Sequence, residues 1–391
     1  MPSSKLNARL HRTGATWIAY LALVYFSLIL NSLGPVTSLI RTEQGLTYSQ
    51  AGLLGSSFAL GLIVTSLVAA AISRRLGAWN TLALAGAGLI SGCSLICLAK
   101  GFPVVLAGAL LAGTLGSLII SEVPLVLTQE HQHRSTTALT EANALASASA
   151  IFGPAAVGLA ERLNFGWRAP LLAPFLLAIG AVLIFTFTRP EAAPPGPSVA
   201  VRGNRLGSAF WLTWCLLFFS VAAEFSIIFW ATDYLRQGES MDGSPGAEVL
   251  AVFFIAMCLG RVIGSRLSLL APRFVIVLCS LAIAFCGAFF YCFSLSITAR
   301  AVGIGLLGLG ISNLYPTFLS LAIWRAKPHE TKASARTTLA SGLAILIFPF
   351  VLGGLADLVG LRQAQLLIPS VLLVVLFLFS WSLRFEKKGA G

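Results

Sequence analysis

Apolar runs of about 20 residues recur from one end of this chain to the other, separated by short polar connections. A helix that crosses the roughly 30 Å hydrocarbon core of a bilayer needs about 20 such residues. Irregular backbone facing lipid has no water to bond, so helices and closed barrels are the only solutions there. Runs of this length therefore point to a bundle of spanning helices. Twelve qualify: 15–40, 48–73, 79–99, 103–127, 140–161, 169–188, 208–235, 247–265, 274–293, 299–324, 335–356 and 364–385. Composition agrees, with 57% apolar and 10% charged residues, against about 25% charged in soluble proteins. A soluble enzyme is excluded.

Between the sixth and seventh runs lies the one long polar connection, RPEAAPPGPSVAVRGNR at 189–205, whose Pro and Gly content reads as a linker. The expected organisation is an N-terminal six-helix bundle over 1–188, a cytoplasmic linker over 189–207 and a C-terminal six-helix bundle over 208–391. The polar, basic start MPSSKLNARLHRTGATW runs into the first span without a small-residue cleavage site, which favours an uncleaved helix.

The net charge of +12 comes from basic residues scattered singly or in pairs, with no basic stripe interleaved with aromatics. Nucleic acid is not an expected partner. With the N-terminus inside, only Arg41, Lys100, Arg162, Arg168, Arg236, Arg300 and Arg362 fall on the outer side, and Arg261 lies within a span. The remaining Lys and Arg are inside, so the charge bias places both termini in the cytoplasm and the chain in the cytoplasmic membrane. The seven cysteines sit in apolar runs without metal-ligand spacing. The His131-Gln132-His133 loop is a weak metal motif, and a solvated loop is expected.

The chain repeats itself. PAAVGLAERLNFGWRAPLL (154–172) can be laid on PFVLGGLADLVGLRQAQLL (349–367), each carrying Gly-Leu-Ala-acid, and FALGLIVTSL (58–67) echoes FFIAMCLGRVIGSRL (253–267). The offset is about 195 residues, half the chain. Two halves related by an internal repeat is a transporter arrangement.

A carboxylate in hydrocarbon costs about 2.5–3.5 kcal/mol on insertion scales, so an acid inside a span is a functional candidate. Glu224 lies in the middle of the seventh span, in FFSVAAEFSIIFW, and is the expected proton carrier. Asp233, nearer the outer end of that span, reads as an interfacial charge, and Glu141 as helix-end stabilisation. Glu122, near the cytoplasmic end of the fourth span, reads equally as a proton-release group or as a partner of Arg134. Asn31 and Asn313 are mid-span amides suited to a polar solute or to interhelical bonding. Trp230 and Tyr315 are aromatics placed to stack on a solute. No catalytic triad, phosphate loop or metal-protease motif is present, so neither an enzyme nor a resident cofactor is expected.

The segments LTYSQAGLLGSSFALG (46–61), EFSIIFWATDYL (224–235), CLGRVIGSRL (258–267), ISNLYPTFLSLAI (311–323) and GGLADLVGLR (353–362) resemble the major facilitator superfamily over nearly the whole chain. Within it, the Tyr-Pro-Thr pattern of the tenth span is most similar to the fucose permease group of sugar:proton symporters. That resemblance implies an all-α fold of twelve transmembrane helices in two six-helix bundles. It also implies a central cavity lined by spans 1, 4, 7 and 10, on which Asn31, Glu122, Glu224 and Asn313 fall one each. Arg74, Arg75, Arg261 and Arg266 would then latch one half to the other at the inner face. Two departures stand out: AAAISRRLGAW lacks the usual acid before its basic pair, and NSLGP in the first span lacks the group's carboxylate.

The expected function is alternating-access, proton-coupled uptake of a small polar solute such as a sugar. Proton-coupled efflux of amphipathic compounds is the alternative, followed by a transport-inactive sensor. The expected partners are a small-molecule substrate and the bilayer, with the protein as a monomer and the proton as coupling ion.

Overall fold

In the computed structural model the described residues are 11–172, 206–236, 246–327 and 329–388, and among them the chain is all-helical. Eleven helices are long and apolar enough to cross a membrane. They cover the expected spans 1–5 and 7–12. Of the sixth only the opening turn, Arg168–Leu172, is described; the rest of that span and the 189–205 linker lie outside the described residues.

Local signals place the helix ends. Thr13 and Thr47 cap the first and second spans, Gly14–Gln44 and Tyr48–Leu76, each through a reciprocal box with the residue three positions on. Gly45 closes the first span at φ +62°, a conformation that suits glycine. The fourth and tenth spans, expected as single helices, each break in two. The pieces are Phe102–Gly116 with Leu118–His131, and Ile297–Ile311 with Leu314–Arg325. At the breaks Ser117 and Asn313 have ψ of −14° and −9°, and Ile120 N bonds the Ser117 carbonyl three residues back at 3.1 Å. A turn tightened in this way marks local unwinding within a span.

The internal repeat holds residue by residue in the packing. Gly113 lies so close to the Phe58 carbonyl that a side chain there would overlap it, and Gly308 lies equally close to the carbonyl of Phe253. Gly92 and Gly108 bring the third and fourth spans together, as Gly287 and Gly303 bring together the ninth and tenth. Every member of the second set follows its counterpart by the same interval that separates Ser38 from Asp233, 195 residues. Small residues at these crossings let helices approach to van der Waals contact, the main attraction available where lipid is as apolar as the side chains.

The two halves meet along three helix pairs: first with seventh, second with eleventh, and fifth with eighth. At the end of the bundle that carries the loop between spans 1 and 2, the contact is tight and polar. Asp233 accepts Ser38 Oγ at 2.6 Å and Arg41 Nε at 2.7 Å. Asp357 of the eleventh span accepts the backbone N–H groups of Tyr48 and Ser49, both at 2.8 Å, capping the second span from across the interface. The expectation of an interfacial charge at Asp233 is therefore corrected: its side chain is 2% exposed and joins the first span to the seventh. Glu141 pairs with Arg12 at 2.8 Å and accepts Tyr20 Oη at 3.0 Å, so it ties the start of the first span to the fifth.

Candidate functional site

A cavity of about 210 Å³ lies between the first and fifth spans on one side and the seventh and eighth on the other. That is at the small end of ligand sites, which run about 300–1,000 Å³. Glu224, Asn31, Asn143, Ser27, Ser147 and Arg261 supply its polar lining, and Phe225, Phe254 and Met257 its apolar walls. Glu224 sits near the middle of the 29-residue helix Ser208–Arg236, and it faces Arg261 of the eighth span without forming an ion pair. Among the described residues, neither Glu224 nor Arg261 has a hydrogen-bond partner.

The uncharged lining is organised by its own helices. Asn31 Nδ2 donates to the Ser27 carbonyl at 2.7 Å and to Ser27 Oγ at 3.3 Å. Ser27 Oγ in turn donates to the Ala146 carbonyl of the fifth span at 2.7 Å. Asn143 Nδ2 and Ser147 Oγ bond the carbonyls four residues back, each at 2.8 Å. These bonds occupy the two hydroxyls, both amide hydrogens of Asn31 and one of Asn143.

Of the residues singled out in the sequence, Asn31, Glu224 and Arg261 come together here. Glu122, Asn313 and Trp230 lie elsewhere. Glu122 is 2% exposed and accepts Ser73 Oγ at 2.9 Å, fastening the fourth span to the second. Asn313 Nδ2 donates to the Gly260 carbonyl at 3.0 Å and packs on Gly264, fastening the tenth span to the eighth. Trp230 is fully buried, with Nε1 donating to the Pro349 carbonyl at 2.9 Å and its ring edge-on to Tyr48. Tyr315 lies within electrostatic reach of Glu224 and close to Ser341.

Arg74, Arg75 and Arg266 are exposed in the last turns of the second and eighth spans, where cations complement the helix dipole. Arg261, grouped with them from the sequence, is exposed as well and also lines the cavity. The residues that sequence reasoning missed are Ser27, Asn143 and Ser147. Their signal was present: Ser27 precedes Asn31, and Asn143 precedes Ser147, by four positions, one helical turn.

A larger open cleft of about 780 Å³ lies at the loop 1–2 end, lined in part by Glu43, Lys100 and Arg168. Its acid is already engaged, since Glu43 pairs with Arg168 at 2.5 Å and accepts Trp167 Nε1 at 2.8 Å. The central cavity, with its uncommitted acid and base, is the candidate site.

Comparison with known proteins agrees with this architecture. Among curated relatives, the membrane protein MosC of Rhizobium meliloti is 27% identical over 160 residues, 41% of this chain and 39% of MosC. An uncharacterised MFS-type transporter of Yersinia pestis is 26% identical over 351 residues, 87% of this chain and 88% of that one. Among solved structures, a mutant of the nucleoside transporter NupG superposes with a TM-score of 0.79 at 11% identity, covering 95% of this chain and all of NupG. A bacterial homologue of the human lysosomal transporter Spinster, inward-facing and occupied, superposes at 0.75 with 16% identity, covering 95% and 96% of the two chains. The fold is thus that of transporters. The Major Facilitator Superfamily profile matches residues 19–335, and the chain belongs to that superfamily.

Proposed function

We propose that this transporter is a proton-coupled carrier that takes up a small polar solute through the central cavity by alternating access. The observation that carries the reading is Glu224, an acid in the middle of a span, lining a cavity, with no hydrogen-bond partner among the described residues. An intramembrane carboxylate is expensive and marks an ion or proton path by default. The two bodies that rock about the cavity are 1–188 and 208–391, joined by the 189–207 linker. The Lys/Arg bias puts both termini in the cytoplasm of the cell that makes the protein, in its cytoplasmic membrane. In that orientation the Asp233 and Asp357 ties join the two halves at the outer end. The protein works as a monomer.

A sugar, as the resemblance to the fucose permease group implies, is one solute of this class. Export of bulky amphipathic compounds is disfavoured by the small volume and the polar lining.

The test is solid-supported-membrane electrophysiology with a dye for internal pH, on proteoliposomes carrying wild type or Glu224→Gln. Hexoses, pentoses, organic acids and lipophilic cations form the panel. A solute that moves protons through wild type and none through the variant supports the reading. Solute flux that the variant leaves intact removes it, and responses to lipophilic cations alone turn it to export.

A further inference from the structure

Arg261 is the feature of the cavity that a neutral solute does not explain. It lies within a helix of membrane-spanning length, and a guanidinium there is rare and usually paired. Here it faces Glu224 across the cavity without an ion pair, and it has no hydrogen-bond partner among the described residues. The amide donors of Asn31, one amide donor of Asn143 and the hydroxyls of Ser27 and Ser147 are spent on bonds within the helices or between them. Beside the second N–H of Asn143, the uncommitted donors of the polar lining are those of the guanidinium, whose planar fork matches a carboxylate with two parallel bonds.

We infer that the solute is a small monoanionic organic acid, its carboxylate taken by Arg261 while Glu224 carries the proton that travels with it. The inference rests on the proton-coupled reading above and adds the charge of the solute to it.

Charge balance supplies the argument. The side chains that face Glu224 and can titrate are Arg261 of the eighth span and Tyr315 of the tenth, and the Cys258 thiol also lines the cavity. Arg261 is the one permanent charge among them. With Glu224 ionised and no solute bound, the pair sums to zero. A proton taken from the outer medium onto the Glu224 carboxylate leaves the site with one positive charge, between walls that include Phe225, Phe254 and Met257.

Arg261 is exposed in this conformation, so the penalty falls on the occluded one: an uncompensated charge shut off from water is strongly unfavourable. A monoanion on Arg261 cancels it, whereas a sugar leaves it standing. The occluded protein is then neutral in two forms: empty with Glu224 ionised, or loaded with both proton and anion. Those two forms cross, and the two half-loaded ones do not. One proton accompanies one anion, and the cycle moves no net charge.

The experiment uses full-length protein in proteoliposomes, with an internal pH dye and solid-supported-membrane currents recorded side by side. The probes are lactate, gluconate and quinate as monocarboxylates, glucose and fucose as neutral sugars, and glycine betaine as a zwitterion. Wild type, Arg261→Gln, Arg261→Lys and Glu224→Gln are compared after size-exclusion chromatography has shown each to be monodisperse.

The expected result is proton entry driven by a monocarboxylate with no accompanying current. Its apparent affinity falls about tenfold or more in Arg261→Gln, as for loss of a charge-assisted bond, and less in Arg261→Lys, which keeps the charge. Proton entry with current driven by a sugar, at an affinity that Arg261→Gln leaves unchanged, overturns the anionic assignment and leaves Glu224 as proton carrier. No proton movement with any of the three acids also overturns it. Solute flux that Glu224→Gln leaves untouched defeats the proton-coupled reading itself, a separate result.

Discussion

Ser38 donates its hydroxyl hydrogen to Asp233 at 2.6 Å, and the two residues are 195 positions apart, the interval of the internal repeat. They are thus equivalent positions of the two halves, meeting face to face at the loop 1–2 end. Arg41 and Arg236, each three residues further on, are equivalent as well. Arg41 grips Asp233, and Arg236 Nη1 comes to 3.5 Å from Ser38 Oγ. An approximately two-fold tetrad has kept an acid on one side and a hydroxyl on the other.

The first prediction follows from that asymmetry. Asp233→Ser removes the acceptor of two charge-assisted bonds and leaves Arg41 unpaired beside Tyr48, whose ring it overlies at 4.3 Å. Breaking a buried pair costs about 3–5 kcal/mol, and the low end applies because Arg41 is 22% exposed. The loop 1–2 end should open. Labelling of Thr37→Cys, a position 1% exposed beside the pair, by an impermeant thiol reagent should rise at least about tenfold over the same cysteine in an otherwise wild-type background.

Swapping the two positions should repair the damage. In Ser38→Asp/Asp233→Ser the carboxylate at position 38 meets Arg236 as Asp233 meets Arg41, so both thermal stability and protection from labelling should return most of the way. Equal labelling of the swap and of Asp233→Ser alone would mean that the repeat does not extend to this contact.

Glu122→Gln should change little. Its carboxylate is buried against Ser73, away from the cavity, and an amide oxygen accepts the same hydroxyl hydrogen. Solute-driven proton uptake by Glu122→Gln is expected within about twofold of wild type, the range of a net neutral hydrogen bond of about 0.5 kcal/mol. A loss as deep as that of Glu224→Gln would restore Glu122 to the proton path.

The packing glycines give paired expectations. Gly113→Ala and Gly308→Ala each push a methyl group into a carbonyl of the neighbouring helix, so each should cost about 1–3 kcal/mol, by similar amounts, read as the melting temperature in detergent. Gly86→Ala, where a side chain meets nothing within 4 Å, should be neutral or stabilise by up to about 1 kcal/mol through helix propensity.

Much of this was legible along the chain. Hydrophobic run length is a local property, and the bilayer converts it directly into helix count and extent, so the described spans fall where the runs predict. The repeat was visible at Pro154 and Pro349 and in the Gly-Leu-Ala-acid run that follows each, and Glu224 stood out because a lone acid in an apolar run needs no partner to be noticed. The breaks at Ser117 and Asn313 were missed although signals flank them: Gly113 and Gly116 precede the first, and Pro316, which has no N–H to give the carbonyl four residues back, follows the second.

What the chain determined by itself was therefore the class of fold, its two-fold repetition and the depth of each charge in the membrane. All three depend on order and spacing alone. Tertiary structure decided which of those groups meet. It gave Trp230, Asn313 and Glu122 bonds to neighbouring helices, drew Asp233 into the tie at the loop 1–2 end, and set Arg261 in the lining of the cavity with Glu224. The physical reason is azimuth: a helix fixes how deep a residue sits, but which way it faces is set by the glycine contacts and crossings that only the assembled bundle contains.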